Sequence, residues 1–315
     1  MTFAQMFPYA MITALLAMLL CIRARSIGQA LGLMDIPSGR KKHSVETPLM
    51  GGIVLLLALL PVSAAAIYLT ASDRWLPSFS IWLGAVASMA LIGIADDRHS
   101  LSPKMRLLLS FTVFGLAAAV DPTFNVRILD FELPAFAFGL GSWVTAIIFT
   151  VICLVGLVNA INMADGKNGL VIGLCIGWLL LLTLRAPEPM LPLILILCVA
   201  LAVLLAFNLA GRLFLGDGAY GVACAIGMLA IMIYNSPGSH ALRAIAADEL
   251  VILFIVPVFD SFRLTYVRMR QGRSPMDADR DHLHHHLQDR FGWPKGLFIY
   301  WAIALGPAAI RMTFS

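Results

Sequence analysis

The sequence predicts an all-α membrane protein in which one domain, residues 1–315, forms a bundle of about ten transmembrane helices. Hydrophobic residues make up 60% of the chain and charged residues only 13%, whereas about a quarter of the residues in soluble domains are charged. The mean hydropathy is +0.88. Long apolar runs recur along the whole chain, and no extensive polar domain separates them.

About ten of these runs have or approach the roughly 20 helical residues that cross a bilayer. In chain order they cover roughly residues 6–22, 49–70, 80–95, 105–120, 141–160, 168–184, 190–209, 218–235, 248–266 and 296–312. Arg23 and Arg25 follow the first run and no Lys or Arg precedes it. This order is the reverse of a secretory signal, so we expect a retained span with the N-terminus outside.

The cysteines and the charged residues limit the possible partners. The five cysteines lie in or beside the apolar runs without a CxxC pair, which favours small buried side chains over a disulfide frame or a thiolate metal site. Most of the 22 Lys and Arg residues lie in the odd-numbered connections between runs; the others are Arg74, Arg127, Arg185, Arg243 and Arg311. The positive-inside rule then puts the odd connections in the cytoplasm. The net charge of +4 mostly reflects this bias, and we expect no nucleic-acid partner.

The unusual polar segments all lie in these odd connections. They are DIPSGRKKHSVETPLMGG (35–52), DDRHSLSPKMR (96–106), NAINMADGKNGL (159–170), FNLAGRLFLGDG (207–218) and DADRDHLHHHLQDRFGW (277–293). The even connections show nothing comparable, although 121–139 alternates weakly and predicts a short hairpin. A transporter needs polar groups along a path that reaches both faces, so one-sided clustering favours an enzyme acting at one membrane surface.

Three carboxylates in these segments are candidates for chemistry. Asp96 and Asp97 are adjacent at a helix end, where a charge at the membrane boundary is costly and tends to be functional; a solvated helix terminus is the alternative. Asp217 lies between Gly216 and Gly218, and glycines let a ligand approach the backbone closely. Mg²⁺ prefers carboxylate and amide oxygens, but a simple turn would also explain this motif.

The segment 159–170 carries the strongest pattern. Asn159, Asn162 and Asp165 are spaced by three, so they share one broad face at a helix end. As ligands they could supply an oxygen to a metal ion and hydrogen bonds to a base or a sugar. The alternative is that they only cap two helices.

The histidine segment allows several interpretations. In one helix His282, His285 and His286 would share a face, and the 282/286 pair has a spacing that suits zinc. No Cys lies nearby and residue 283 is Leu, so HExxH is absent. A solvated basic loop is a second alternative to a substrate-binding loop.

Together these motifs resemble the polyprenyl-phosphate N-acetylhexosamine-1-phosphate transferases, or glycosyltransferase family 4. The segments 35–52, 96–106 and 159–170 are similar to the family's D-x-P-x-x-R-K-x-H…P-x-x-G-G, D-D-x-x-x-L-x-P-x-x-K/R and N-x-x-N-x-x-D-G-x-N/D-G-L. PVFDSF and SPMDADRDHLHHHL resemble its P-x-x-D and D-R-x-H-L-H-H segments. The RKKH and DRDHLHHHL stretches favour the WecA-like branch over the related phospho-N-acetylmuramoyl-pentapeptide transferases. Two departures are Ala219, where a second Gly is usual, and Asn168, where many members have Asp.

The resemblance implies a membrane enzyme that transfers N-acetylhexosamine-1-phosphate, with GlcNAc as the expected sugar, from a UDP-sugar to undecaprenyl phosphate. UMP is released and lipid-linked glycan synthesis begins. The site would face the cytoplasm from the inner membrane and use Mg²⁺, with Mn²⁺ as the alternative; homodimer formation stays open. Alternative functions are a phospho-N-acetylmuramoyl-pentapeptide transferase activity or a His-rich divalent-cation transporter. The transporter requires ligands deep within several spans, and only Asp260, with Arg263 three residues later, lies well inside one.

The resemblance also implies residue roles. Asp217 and Asn162 would hold the metal, and Asp165 and Asn168 would face the uridine. Asp96 and Asp97 would handle the lipid phosphate, with Asp96 as its base, and together with Asp217 they form the expected catalytic set. The remaining substrate-binding residues would be Lys104 and Arg106 at phosphate oxygens, and His282, His284 and His285 at the sugar-diphosphate end.

Overall fold

The computed structural model describes residues 3–37, 45–237, 243–274 and 281–314, and helices dominate it. Its α-helices are α1 Phe3–Ile22, α2 Ala24–Leu31, α3 Gly51–Val54, α4 Leu60–Thr70, α5 Leu76–His99, α6 Pro103–Val120, α7 Trp143–Ala164, α8 Leu170–Thr183, α9 Leu191–Leu209, α10 Ala219–Tyr234, α11 Ala247–Arg270, α12 Leu283–Phe291 and α13 Lys295–Phe314. A π-helical turn, Leu55–Leu59, joins α3 to α4, so that Gly51–Thr70 forms one apolar span.

Within the described residues, nine helices are long and apolar enough to cross a membrane, and α8 is a shorter apolar helix. Each of these ten overlaps one of the apolar runs that the sequence predicts. The expected polytopic helical membrane protein is therefore confirmed. The predicted features at 40–43, in RKKH, and at 277–280, at the start of the histidine segment, lie outside the described residues.

Helix α10 is the core of the bundle. In the most apolar 18-residue stretch of its span, 89% of the residues are buried. The corresponding fraction is 22% for the spans formed by α1, α6 and α11. Small residues make this packing possible, because they let neighbouring helices approach closely. At Gly221, for example, an added Cβ would lie 2.7 Å from Leu55 Cδ1. Trp82 of α5 also donates to the Ala225 carbonyl at 3.0 Å. The peripheral helices present large apolar side chains outward, which suits contact with lipid.

Two short antiparallel sheets lie at opposite ends of the bundle. Strand β1 (Met34–Asp35) pairs with β2 (Thr47–Pro48). Strand β3 (Ile128–Phe131) pairs with β4 (Phe136–Gly139), which confirms the predicted hairpin. Tyr234, at the end of α10, donates to the Ile128 carbonyl at 2.7 Å and accepts from the Asp130 amide at 2.9 Å.

The chain crosses the bundle repeatedly, so the odd connections meet at one end. Phe214 shows this, since its amide donates to the Pro48 carbonyl at 2.9 Å and its carbonyl accepts from the Met50 amide at 3.0 Å. These bonds join the connection after α9 to the connection before α3. The β3–β4 hairpin lies at the other end.

Candidate active site

A cavity of about 1110 Å³ opens at the end of the bundle where the odd connections meet. Each of these connections contributes to its wall. The polar and charged residues that line it are Asp35, Asp96, Asp97, Ser100, Arg106, Asn162, Asp165, Lys167, Asn168, Asn208, Asp217 and His285, with Trp293 beside them. The structure therefore brings together side chains that are more than 200 residues apart in sequence.

Asp96 is buried at the C-terminal end of α5 and accepts three hydrogen bonds. Its Oδ1 accepts from the Leu101 amide at 2.8 Å. Its Oδ2 accepts from Arg106 Nη1 at 2.9 Å and from the Tyr220 hydroxyl at 3.4 Å. Asp96 therefore holds the turn between α5 and α6 and fixes the Arg106 guanidinium at the cavity wall.

Asp97 and Asp217 are brought together by glycines in the turn before α10. The Asp217 amide donates to Asp97 Oδ1 at 2.9 Å. Gly216 has φ of +64°, and an added Cβ would lie 2.7 Å from Asp97 Oδ2. A Cβ at Gly93 would collide with the Asp217 carbonyl. The GDG motif thus packs directly on α5, as close approach at a glycine allows.

The Ala219 departure from the family pattern has a simple structural explanation. Ala219 is the first residue of α10 and has φ of −50° and ψ of −32°. These values are helical and suit any L-residue. The turn around Asp217 therefore needs no glycine at this position.

Asn162 contacts both Asp217 and Tyr220. Its amide nitrogen donates to Asp217 Oδ1 at 3.0 Å and to the Tyr220 hydroxyl at 2.7 Å. Asn159, by contrast, donates to the Val155 carbonyl of its own helix at 2.8 Å. Of the three residues predicted to share one helix face, Asn162 and Asp165 line the cavity. Asn159 instead bonds to the backbone of its own helix.

The carboxylates around Asn162 repel each other. Burial, and after it the nearby Asp217 carboxylate, raises the pKa of Asp165 from 3.8 to about 7. Such a shift means that the charged form is disfavoured until a cation compensates it. The cavity therefore has the electrostatic character of a cation site.

The side chains at the cavity could bind Mg²⁺ only as part of its coordination shell, with the rest supplied by substrate and water. Among the described residues, no group of three His, Cys, Asp or Glu side chains could hold a metal ion. Mg²⁺ is commonly bound by one or two carboxylates, with substrate phosphates and water completing the octahedron. Asp217 and the neighbouring Asn162 can supply such a partial set. The chemistry of the residues thus fits a metal ion that arrives with a diphosphate.

Asn208 joins two of the loops that form the cavity. Its Oδ1 accepts from the Gly169 amide at 2.6 Å, and its Nδ2 donates to the Leu213 carbonyl at 3.0 Å. Trp293 Nε1 donates to the Asn168 carbonyl at 3.2 Å. The sequence analysis did not single out Asn208, Trp293, Tyr220 or Lys167 as site residues. Lys167, Asn208 and Trp293 lie within the polar segments, and this position was the signal that could have indicated them.

The first histidine of the segment contacts α11 and does not line the cavity. His282 Nδ1 lies 2.9 Å from Asp260 Oδ2, and the Leu283 amide donates to the same oxygen at 3.2 Å. Arg263 pairs with Asp260 at 3.2 Å, which is the ion pair expected from their spacing. Asp260 thus caps the N-terminus of α12 from a neighbouring helix.

The other histidines lie in different environments. His284 is 1% exposed, and a Cβ on Gly166 would lie 2.5 Å from its Nε2. Burial, followed by the charges of His285 and His282, lowers the pKa of His284 to about 3. His285 lines the cavity, while His286 Nε2 lies 2.7 Å from Asp281 Oδ1. Of the predicted donor-binding histidines, only His285 reaches the cavity.

Lys104 is also separated from the site. Its side chain is exposed and does not line the cavity. Arg106, two residues later, points to Asp96. Both residues belong to α6, which begins at Pro103. Helical residues two positions apart do not face each other, so the two side chains lie on different sides of α6.

These features define a multi-pass membrane enzyme whose site lies at one end of its helical bundle. The chain belongs to glycosyl transferase family 4, whose model matches residues 79–234. The family resemblance of the motifs is therefore confirmed.

Three relatives illustrate the similarity. The chain is 30% identical over 292 residues to the probable undecaprenyl-phosphate N-acetylglucosaminyl 1-phosphate transferase of Bacillus subtilis (strain 168), covering 88% of this chain and 76% of the relative. It is 28% identical over 274 residues to the undecaprenyl-phosphate alpha-N-acetylglucosaminyl 1-phosphate transferase of Yersinia pestis, and 27% identical over 271 residues to that of Escherichia coli (strain K12). Both alignments cover 83% of this chain and 71% of the relative.

Proposed function

We propose that the protein transfers GlcNAc-1-phosphate from UDP-GlcNAc to undecaprenyl phosphate and so initiates lipid-linked glycan synthesis. The names of the relatives describe an undecaprenyl-phosphate N-acetylglucosaminyl 1-phosphate transferase, which supports the transferred group and the lipid acceptor. One observation of the structure supports it most: carboxylates and basic side chains from five separate connections line one cavity. Two anionic substrates need such a mixture, because their mutual repulsion must be offset before they can react.

The metal side of the site would consist of Asp217 and Asn162. Mg²⁺, or Mn²⁺ in its place, would neutralise charge on the donor's diphosphate. Asp217 supplies the carboxylate, and Asn162 holds it through a hydrogen bond of 3.0 Å. Asp165, whose carboxylate lies near Asp217, and Asn168 would contact the uridine from the adjoining loop.

The lipid-phosphate side would consist of Arg106, Asp96 and Asp97. An oxygen of the lipid phosphate attacks the β-phosphorus of the UDP-sugar, the bond from that phosphorus to the bridging oxygen breaks, and UMP leaves. A phosphate dianion is already a competent nucleophile near neutral pH, so the reaction depends more on positioning than on a base. Arg106 can bind the phosphate, and its ion pair with Asp96 orients it. We favour this direct attack over a covalent route through Asp97.

The charge distribution supports a cytoplasmic orientation of the site. The cavity lies at the end of the bundle that carries most of the basic residues, and the positive-inside rule assigns that end to the cytoplasm. A nucleotide sugar and the phosphate group of a membrane lipid meet at such a surface. In bacteria this would be the cytoplasmic membrane.

The transporter alternative receives less support from the structure. It requires metal ligands within the bundle, and the candidate from the sequence was Asp260. That carboxylate is instead engaged by Arg263, His282 and the Leu283 amide. Three such donors leave it poorly suited to bind a passing cation.

The test is UMP release by the purified protein with undecaprenyl phosphate, Mg²⁺ and a panel of UDP-sugars. UDP-GlcNAc should give the highest turnover, and chelation of the metal should abolish it. Asp217→Ala should lower kcat by about 10²–10³, since one preorganised electrostatic contact is lost. Failure to release UMP from any UDP-sugar would contradict the proposal.

A further inference from the structure

Tyr220 is a large aromatic residue in the first turn of α10, directly after the glycine-rich turn that carries Asp217. Its neighbours in the segment GDGAYG are glycine, alanine and aspartate. The side chain is 3% exposed, so its hydroxyl is withdrawn from solvent. A buried tyrosine hydroxyl generally finds a hydrogen-bond partner, and here it has two.

The two partners belong to opposite sides of the site. The Tyr220 hydroxyl accepts from the Asn162 amide at 2.7 Å and donates to Asp96 Oδ2 at 3.4 Å. A phenol has one proton to donate. Because an ionised carboxylate can only accept, the proton faces Asp96, and Asn162 must present its nitrogen to the phenol oxygen. The hydroxyl therefore also fixes the orientation of the Asn162 amide.

These contacts form a continuous chain of polar groups. It runs from Arg106 to Asp96 at 2.9 Å, through Tyr220 to Asn162, and on to Asp217 at 3.0 Å. The first two residues belong to the proposed lipid-phosphate side and the last two to the proposed metal side. The Tyr220 hydroxyl links the two sides through side chains, next to the backbone contact in which the Asp217 amide donates to Asp97.

We propose that the Tyr220 hydroxyl is a positioning group that sets the lipid-phosphate side of the site relative to the metal and diphosphate side. This inference rests on the proposed function. In-line attack requires two reacting atoms to be about 3 to 3.5 Å apart, and a displacement of about 1 Å can cost a hundredfold in rate. A hydrogen-bonded link between the groups that hold the two substrates limits such displacement.

The proposal differs from a purely structural role for Tyr220. The aromatic ring fills space at the start of α10, and phenylalanine would fill it equally well. Only the oxygen atom contacts Asn162 and Asp96. Tyr220→Phe therefore removes the proposed link and leaves the ring.

Tyr234 provides a matched control on the same helix. It is 1% exposed, and its hydroxyl also makes one donated and one accepted hydrogen bond, to Ile128 and from Asp130. It lies 14 residues further along α10, or about 21 Å at 1.5 Å per residue. Tyr234→Phe thus deletes an equivalent buried hydroxyl at the opposite end of the bundle.

The experiment compares the wild-type protein, Tyr220→Phe and Tyr234→Phe in reconstituted membranes. It measures kcat, the KM values for UDP-GlcNAc and undecaprenyl phosphate, and the melting temperature without metal or substrate. Tyr220→Phe should lower kcat by about ten- to a hundredfold and leave both KM values within about threefold, because the lost interaction acts on the alignment of bound substrates. Tyr234→Phe should keep kcat and lower the melting temperature at least as much as Tyr220→Phe.

The outcomes separate the two hypotheses. No turnover by the wild-type protein would contradict the proposed function itself. Normal wild-type turnover with an unchanged kcat in Tyr220→Phe would overturn the positioning role. A Tyr220→Phe protein that fails to fold while Tyr234→Phe folds would also overturn it, since the hydroxyl would then serve the fold.

Discussion

At the scale of single residues, the geometry around Asp97 depends on Gly216, which the sequence indicated only as part of a tight turn or as a place where a ligand approaches the backbone closely. Gly216 has a positive φ, and the Asp97 carboxylate occupies the space that a Cβ at this position would need. The motif GDG indicated a tight turn. It could not show which side chain approaches the turn, because Asp97 is more than 100 residues earlier in the chain.

We predict that Gly216→Ala lowers turnover at least tenfold, because the new Cβ would lie 2.7 Å from Asp97 Oδ2 and displace it. Gly272→Ala is the matched control, since Gly272 has φ of +68° and nothing within 4 Å of an added Cβ. Both substitutions carry a backbone cost of roughly 1–2 kcal/mol in the left-handed region. Equal turnover in the two variants, measured as UMP release, would show that the contact with Asp97 is unimportant.

His284 gives a second prediction at this scale, on pH. Its pKa in the folded protein is about 3, below the ordinary value of 6.5, because burial and the neighbouring His285 and His282 disfavour the charged imidazole. Between these two values the unfolded chain binds a proton that the folded chain does not, so the protein loses stability as pH falls from about 6.5 towards 3.

We therefore expect His284→Met to reduce the fall in melting temperature between pH 6.5 and pH 4. His286→Met serves as the control, because His286 is exposed and lies beside Asp281. Melting curves in the same detergent at several pH values provide the measurement. An identical pH slope for wild type and His284→Met would mean that His284 titrates normally.

At the scale of secondary-structure elements, the histidine helix shows what the sequence could and could not predict. The spacing predicted a common face for His282, His285 and His286. Helix α12 instead begins at Leu283, with His282 as its N-cap, so His282 leaves that face and contacts Asp260. This partner comes from the packing of α11 against the connection, and local periodicity contains no information about it.

We predict that Asp260→Asn loosens α12, since the carboxylate accepts from both His282 and the Leu283 amide. Loss of hydrogen bonds to a charged group costs about 1.5–3 kcal/mol. Hydrogen exchange of the amides in 283–291 should therefore become faster, and kcat/KM for the UDP-sugar should fall because His285 is displaced.

Asp281→Asn is the control for this prediction. Asp281 also contacts Arg263 and a histidine, but its side chain is 48% exposed, and exposed ion pairs contribute little. Exchange in α12 should remain close to that of the wild type in this variant. Unchanged exchange in Asp260→Asn would refute the capping role of Asp260.

At the scale of the whole molecule, the sequence predicted most of the architecture. Apolar run length is set by bilayer thickness, so the spans could be counted and ordered before any packing was known. The one-sided polar segments likewise predicted a single site. Most of the candidate residues named from the sequence line the cavity, but the exceptions could not be predicted. Lys104 does not line it, while Asn208 joins two of its loops, and both depend on how helices rotate in the bundle.

The orientation of the bundle gives a prediction for cysteine labelling. In a background with the five native cysteines replaced, single cysteines at 42, 102, 212 and 272 should be accessible from the cytoplasm. Cysteines at 74, 127 and 243 should be accessible from outside. The excess of Lys and Arg in the odd connections is the physical reason. Labelling of 102 and 272 from opposite faces would be incompatible with one shared cavity.

The central claim is that a sugar and its phosphate are transferred together, and the fate of the donor's β-phosphorus tests it most directly. UDP-GlcNAc labelled with ³²P at the β-position is incubated with the reconstituted protein, Mg²⁺ and undecaprenyl phosphate, and the lipid phase is extracted. We predict that the β-label enters the lipid product while unlabelled UMP remains in the aqueous phase, and that Asp217→Ala slows this transfer by about 10²–10³. Recovery of the β-label in aqueous UDP, with the sugar alone in the lipid phase, would contradict the account.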